Sequence, residues 1–124
     1  MADEKIVKFI EGVLSKTRAR KVPWEPTAQE SNFIAAIGGQ FTLAVSSWAE
    51  PVPHGGGSYD TGGGMIDRYT LVLRDEIGRE VARVTDGDEG IRRDDMRELY
   101  ETARRQAVHA GERIDDALEV LKSL

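Results

Sequence analysis

Cysteine is absent from this 124-residue chain. That removes disulfides, thiol nucleophiles and thiolate metal sites at one stroke. Histidine occurs only twice, at His54 and His109, too isolated to frame a zinc site, so no metal is expected. Aromatic residues make up 6% of the chain and do not interleave with its basic cluster, which argues against base stacking on single-stranded nucleic acid. No lysine lies between Lys21 and Lys122. The glycine-rich stretch HGGGSYDTGGG (54–64) therefore lacks the cation of a phosphate-gripping loop, and its second glycine triplet leads into a strand where such a loop needs a helix. A dinucleotide fingerprint fails for the same topological reason, and no cofactor is expected. No apolar run approaches the roughly 20 residues that span a bilayer. The opening MADEKIVKFIEG has no long apolar run behind a basic start, so no secretory leader is expected. The expectation is a soluble, cytoplasmic protein with no membrane contact.

What is present suits one α+β domain over residues 1–124: 40% apolar and 31% charged residues, a balance too apolar for intrinsic disorder. The net charge of −5 is unevenly spread, with +3 over residues 1–23 and −4 over each of 24–85 and 86–124. The overall sign disfavours nucleic acid as a partner. The local basic patch of Lys16, Arg18, Arg20 and Lys21 is the one place where phosphate contact is conceivable, and helix-end electrostatics explains it as well.

Ile6, Ile10, Val13, Leu14 and Thr17 recur at helical spacing and predict an N-terminal helix closed before Pro23. FIAAI (33–37) and QFTLAVSSW (40–48) flank Gly38-Gly39, which reads as a two-residue hairpin turn opposing Ile34 to Leu43 and Ala36 to Phe41. RYTLVLR (68–74) and REVARVT (79–85) alternate about DEIG (75–78) as a second hairpin with arginines on one side. WEPT (24–27) could add a short strand, confined to an edge by Pro26. Asp95 and Glu98 read as a capping pair, after which Leu99, Ala103, Ala107, Ala110, Ile114, Leu118 and Leu121 hold a helical stripe, with a kink or break expected at Gly111. The predicted architecture is an N-terminal helix, a four-stranded antiparallel meander of two hairpins, and a C-terminal helix or kinked helix pair packed on one sheet face. A flexible glycine-rich loop over 49–67 would join the hairpins.

His54, Ser58 and Asp60 could in principle form a hydrolytic trio. Glycine triplets on both sides deny them the packed support that catalytic geometry needs, so no catalytic residue is expected. DGDEG (86–90) begins like a calcium loop, but Gly90 and Arg97 stand where the third ligand and the bidentate glutamate belong. It reads as a polar connection.

The run Leu99-Tyr100-Glu101-x-Ala103-Arg104-Arg105-Gln106-Ala107, with Asp116-Ala117-Leu118 beyond it and Trp24-Glu25-x-Thr27 before the sheet, resembles small uncharacterised bacterial α+β proteins. The resemblance spans roughly residues 5 to 122 and implies structure alone, with no activity attached.

These observations lead to an expected non-catalytic bacterial interaction or regulatory module that binds an unidentified protein partner, either another protein or a second copy of itself. Tyr59 at the loop tip and Trp24 and Trp48 beside proline-containing edges are its candidate contacts. The alternative is a binder of anionic small molecules, or an enzyme, with a pocket between sheet and helices lined by Tyr69, Tyr100 and the arginines Arg68, Arg74 and Arg83.

Overall fold

The computed structural model describes residues 4–52 and 64–124. Helix α1 spans Glu4–Arg18 and buries Ile10, Val13, Leu14 and Thr17, the stripe expected from spacing. It ends five residues before Pro23 in a paired cap: Arg20 N–H donates to the Thr17 carbonyl at 3.0 Å and Lys21 N–H to the Lys16 carbonyl at 2.9 Å. Arg20 sits at φ 59°, the left-handed position that glycine usually fills.

Five strands follow, not four: β1 (Glu25–Pro26), β2 (Asn32–Ile37), β3 (Phe41–Pro51), β4 (Met65–Asp75) and β5 (Glu80–Thr85), antiparallel and adjacent in chain order. The added strand β1 is two residues long and lies at the sheet edge, where Pro26 removes no needed ladder donor.

The β2–β3 register corrects the expected one. Phe33 faces Val45, Ala35 faces Leu43 and Ile37 faces Phe41, because the connection spends three residues, with Gln40 added to the positive-φ pair Gly38 and Gly39. A slip of one residue exchanges the faces of a strand. The core therefore takes Phe33 and Ala35 in place of Ile34 and Ala36, beside Leu43 and Val45.

Strands β3 and β4 form one long hairpin, paired from Phe41–Asp75 out to Pro51–Met65, and Val52 N–H continues it by donating to the Gly64 carbonyl at 3.0 Å. The connection is accordingly shorter than the 49–67 expected, and its residues 53–63, with His54, Ser58, Tyr59 and Asp60, lie outside the described residues.

Helix α2 (Arg93–Val108) buries Met96, Leu99, Ala103 and Ala107. It begins at Arg93, so Asp95 lies inside its first turn and is not its cap. Helices α1 and α2 pack side by side over one sheet face, joined to Phe33, Ala35, Leu43, Val45, Tyr69, Leu71 and Val84 in one core. Tyr100 binds the layers together, its ring 5.7 Å from Phe33 and 5.6 Å from Tyr69. Burial raises the hydroxyl pKa values of both tyrosines.

The break comes at His109, which takes left-handed backbone (φ 49°, ψ 48°), two residues before the expected Gly111. Helix α3 (Ala110–Lys122) then departs from the body. Its residues from Glu112 onward are exposed, so the second half of the expected C-terminal pair does not cover the sheet.

Candidate functional site

The three expected arginines share the sheet face without helices. Arg68, Arg74 and Arg83 alternate with Tyr69, Leu71, Leu73, Ala82 and Val84, which point toward α1 and α2. They therefore do not line a pocket with Tyr69 and Tyr100. Two are already occupied by carboxylates.

Arg68 Nε donates to both Asp86 carboxylate oxygens (3.1 and 3.0 Å), a second guanidinium nitrogen donates to the Asp86 carbonyl at 2.7 Å, and the third reaches Glu50 Oε2 at 3.1 Å. Arg83 donates to Glu80 at 2.7 Å. These carboxylates raise the pKa of each guanidinium, and Arg83 in turn lowers that of Glu80. Arg74 stands opposite Glu80.

Asp86 is the centre of this cluster and one of three buried polar residues in the described chain, at 2% exposure. It also accepts from the Tyr69 backbone N–H at 2.8 Å. Arg93 comes within 3.8 Å of the same carboxylate, lies over the Tyr69 ring and donates to the Asp67 carbonyl. The DGDEG segment is thus a strand-to-helix corner held by Asp86 and by Asp88, which accepts from the Thr85 N–H at 2.8 Å. No group of three histidine, aspartate or glutamate side chains that could hold a metal occurs among the described residues. No helix among them is long and apolar enough to cross a membrane.

The two tryptophans part company. Trp24 is 3% exposed and donates its indole N–H to the Thr17 hydroxyl, so it belongs to the core and offers a partner no ring. Trp48 is 38% exposed on the helix-free face, its indole N–H bound to Glu50 Oε1 at 2.9 Å. The basic patch divides as well. Arg18 is clamped by Glu98 through two bonds of 2.5 and 2.6 Å, an arrangement that lowers the Glu98 carboxyl pKa. Arg20 lines a depression of about 710 Å³ between α1, β1 and α2, where Arg18, Arg20 and Arg105 are matched in number by Glu25, Glu98 and Glu112. Such a balance gives no preference for an anion.

Lys16 and Lys21 belong to a different feature. With Lys8 they edge an apolar groove of about 520 Å³, floored by Phe9, Val13, Ile37 and Leu43 and running past Gly12. None of the three lysines is in an ion pair among the described residues.

The helix expected to pack on the sheet instead carries a row of uncovered apolar side chains. Along α3, Ile114 is 60%, Leu118 50% and Leu121 63% exposed, while the exposed Val120 faces another side of the helix. Their i, i+4, i+7 spacing puts Ile114, Leu118 and Leu121 on one stripe. Sequence periodicity found this stripe; it carries no information about what covers it. No protein-family model matches this chain, and neither a curated protein nor a solved structure matches it.

Proposed function

We propose that this protein is a non-catalytic interaction module whose docking element is α3. The observation that carries the reading is the exposed Ile114–Leu118–Leu121 stripe on a helix that leaves the folded body. A lone helix of about 12–15 residues is marginal in water, and helices of this kind take most of their stability from packing an apolar face. A helix of 13 residues with that face in solvent therefore calls for a surface to lie on. Apolar anchors at this spacing are how an amphipathic helix reads into a groove.

The reading for small anionic ligands draws less support. Arg68 and Arg83 are spent on Asp86, Glu50 and Glu80, and the depression between α1, β1 and α2 pairs its arginines with glutamates.

Cross-linking through Lys122 in cells holding the chain at its native level, followed by mass spectrometry, tests the proposal. The expected result is an α3 peptide joined to another polypeptide, lost in Leu118→Asp. Cross-links from Lys122 confined to the chain's own body would contradict it.

A further inference from the structure

Resting on that reading, we infer that the surface receiving α3 is the lysine-edged groove of a second copy of this chain, so that two molecules exchange their terminal helices. Both halves of the contact are on one molecule, and they match in polarity and in charge.

Along one flank of α1 the groove opens on the half-buried Phe9 and Ile37, with the buried side chains of Val13 and Leu43 beneath them. The opposite flank of α1 is taken by α2, through Arg18–Glu98 and the Gln106 amide bonded to the Thr17 carbonyl at 2.7 Å. A further helix laid on the free flank extends the same layer over the sheet. Gly12 belongs to this flank, and a side chain added there meets nothing within 4 Å. An open glycine in mid-helix lets another backbone come close.

Charge sets the occupant. Lys8, Lys16 and Lys21 edge the groove with no ion-pair partner among the described residues, in the stretch 1–23 that is net basic. Helix α3 carries Glu112, Asp115, Asp116 and Glu119 against Arg113 and Lys122. At 3.6 residues per turn, Asp115 and Glu119 fall on the flank next to the Leu118 side of the stripe, together with Lys122, which pairs with Glu119 at 3.7 Å, so the flank keeps one net negative charge. That flank faces α1 and its lysines when the stripe lies on Phe9 and Val13. Asp115 has no ion pair among the described residues, and burial of the apolar stripe beside it favours this pairing over a neutral groove. A two-fold axis repeats the contact, so each helix is bound and each groove filled.

Charge exchange tests this. Light scattering after size exclusion is expected to give the wild-type chain twice its 13.7 kDa mass at about 50 μM. The variants Lys8→Glu/Lys16→Glu and Asp115→Lys/Glu119→Lys, each checked for native circular dichroism, are expected to be monomers. Mixed, they restore a dimer, because each then offers the charge that the other lacks. Lys122 cross-linked to Lys16 or Lys21 across mixed nitrogen-14 and nitrogen-15 chains places the helix. A monomeric wild type overturns the second-copy proposal, as does a dimer that survives both variants or a mixture that stays monomeric. A monomer whose Lys122 still cross-links to another polypeptide in cells would overturn this inference alone and leave the interaction reading standing.

Discussion

The indole N–H of Trp24 donates to the Thr17 hydroxyl at 3.0 Å, and the two residues are 3% and 0% exposed. The bond ties the last turn of α1 to the chain just before β1. Thr17→Val keeps the shape and removes the acceptor, leaving a buried donor unpaired. Its expected cost is about 1–3 kcal/mol in denaturant unfolding. Trp24→Phe in the Thr17→Val background should cost less than Trp24→Phe in the wild type, because the donor is then already orphaned. Additive losses would show that the bond contributes nothing.

Asp86 serves a backbone donor as well as an arginine. Asp86→Ala strands the Tyr69 N–H inside the protein, with an expected loss of about 1–3 kcal/mol. Asp86→Asn keeps an oxygen for that donor and should lose clearly less. Equal losses would place the whole effect in the Arg68 contact.

Arg20 closes α1 in left-handed backbone at φ 59°. Arg20→Gly relieves the Cβ crowding there and is expected to raise stability by about 0.5–1 kcal/mol, read as a higher denaturant midpoint. A lower midpoint would mean that the arginine side chain supports the body.

Gly12 tests the groove and the helix separately. Gly12→Ala adds a methyl that meets no neighbour, so the isolated fold should gain about 1 kcal/mol from helix propensity. Gly12→Leu should leave the fold intact and raise the dimer dissociation constant at least tenfold. A larger side chain with no effect on association would place the contact elsewhere.

Glu98 provides the pH test. The Arg18 hydrogen bonds lower its folded pKa. Its contribution is present in full above the ordinary carboxylate range and is lost as pH falls through the lowered folded value. Carbon-13 NMR should find the Glu98 carboxyl titrating below its unfolded midpoint, and Arg18→Gln should return it upward. An unchanged midpoint in that variant would assign the shift to another group.

The α1 stripe from Ile6 to Thr17 was legible because every member recurs on one helical face. The sheet was legible in its antiparallel order but not in its register. Two glycines suggest a two-residue turn, whereas Gln40 joins them in a three-residue loop, and that single residue decides which side of β2 meets the helices. The Asp86 cluster left no trace in spacing, since its partners Arg68 and Tyr69 lie 18 and 17 residues away and meet it only across a strand pair. The placement of the expected arginines was not legible because neighbouring strand residues face opposite ways, which sets Arg68 and Tyr69 on different faces of β4. The stripe on α3 was visible, yet a buried face and a docking face have the same period. Only the fold distinguishes Leu99, at 0% exposure, from Leu121, at 63%.

Amide hydrogen exchange along residues 112–122 tests the central claim most directly. If α3 is held by another molecule, its amides are protected at high protein concentration, lose that protection on dilution, and stay unprotected in Leu118→Asp at any concentration. Protection that ignores both dilution and this substitution would mean that α3 rests on its own chain, and the account would be wrong.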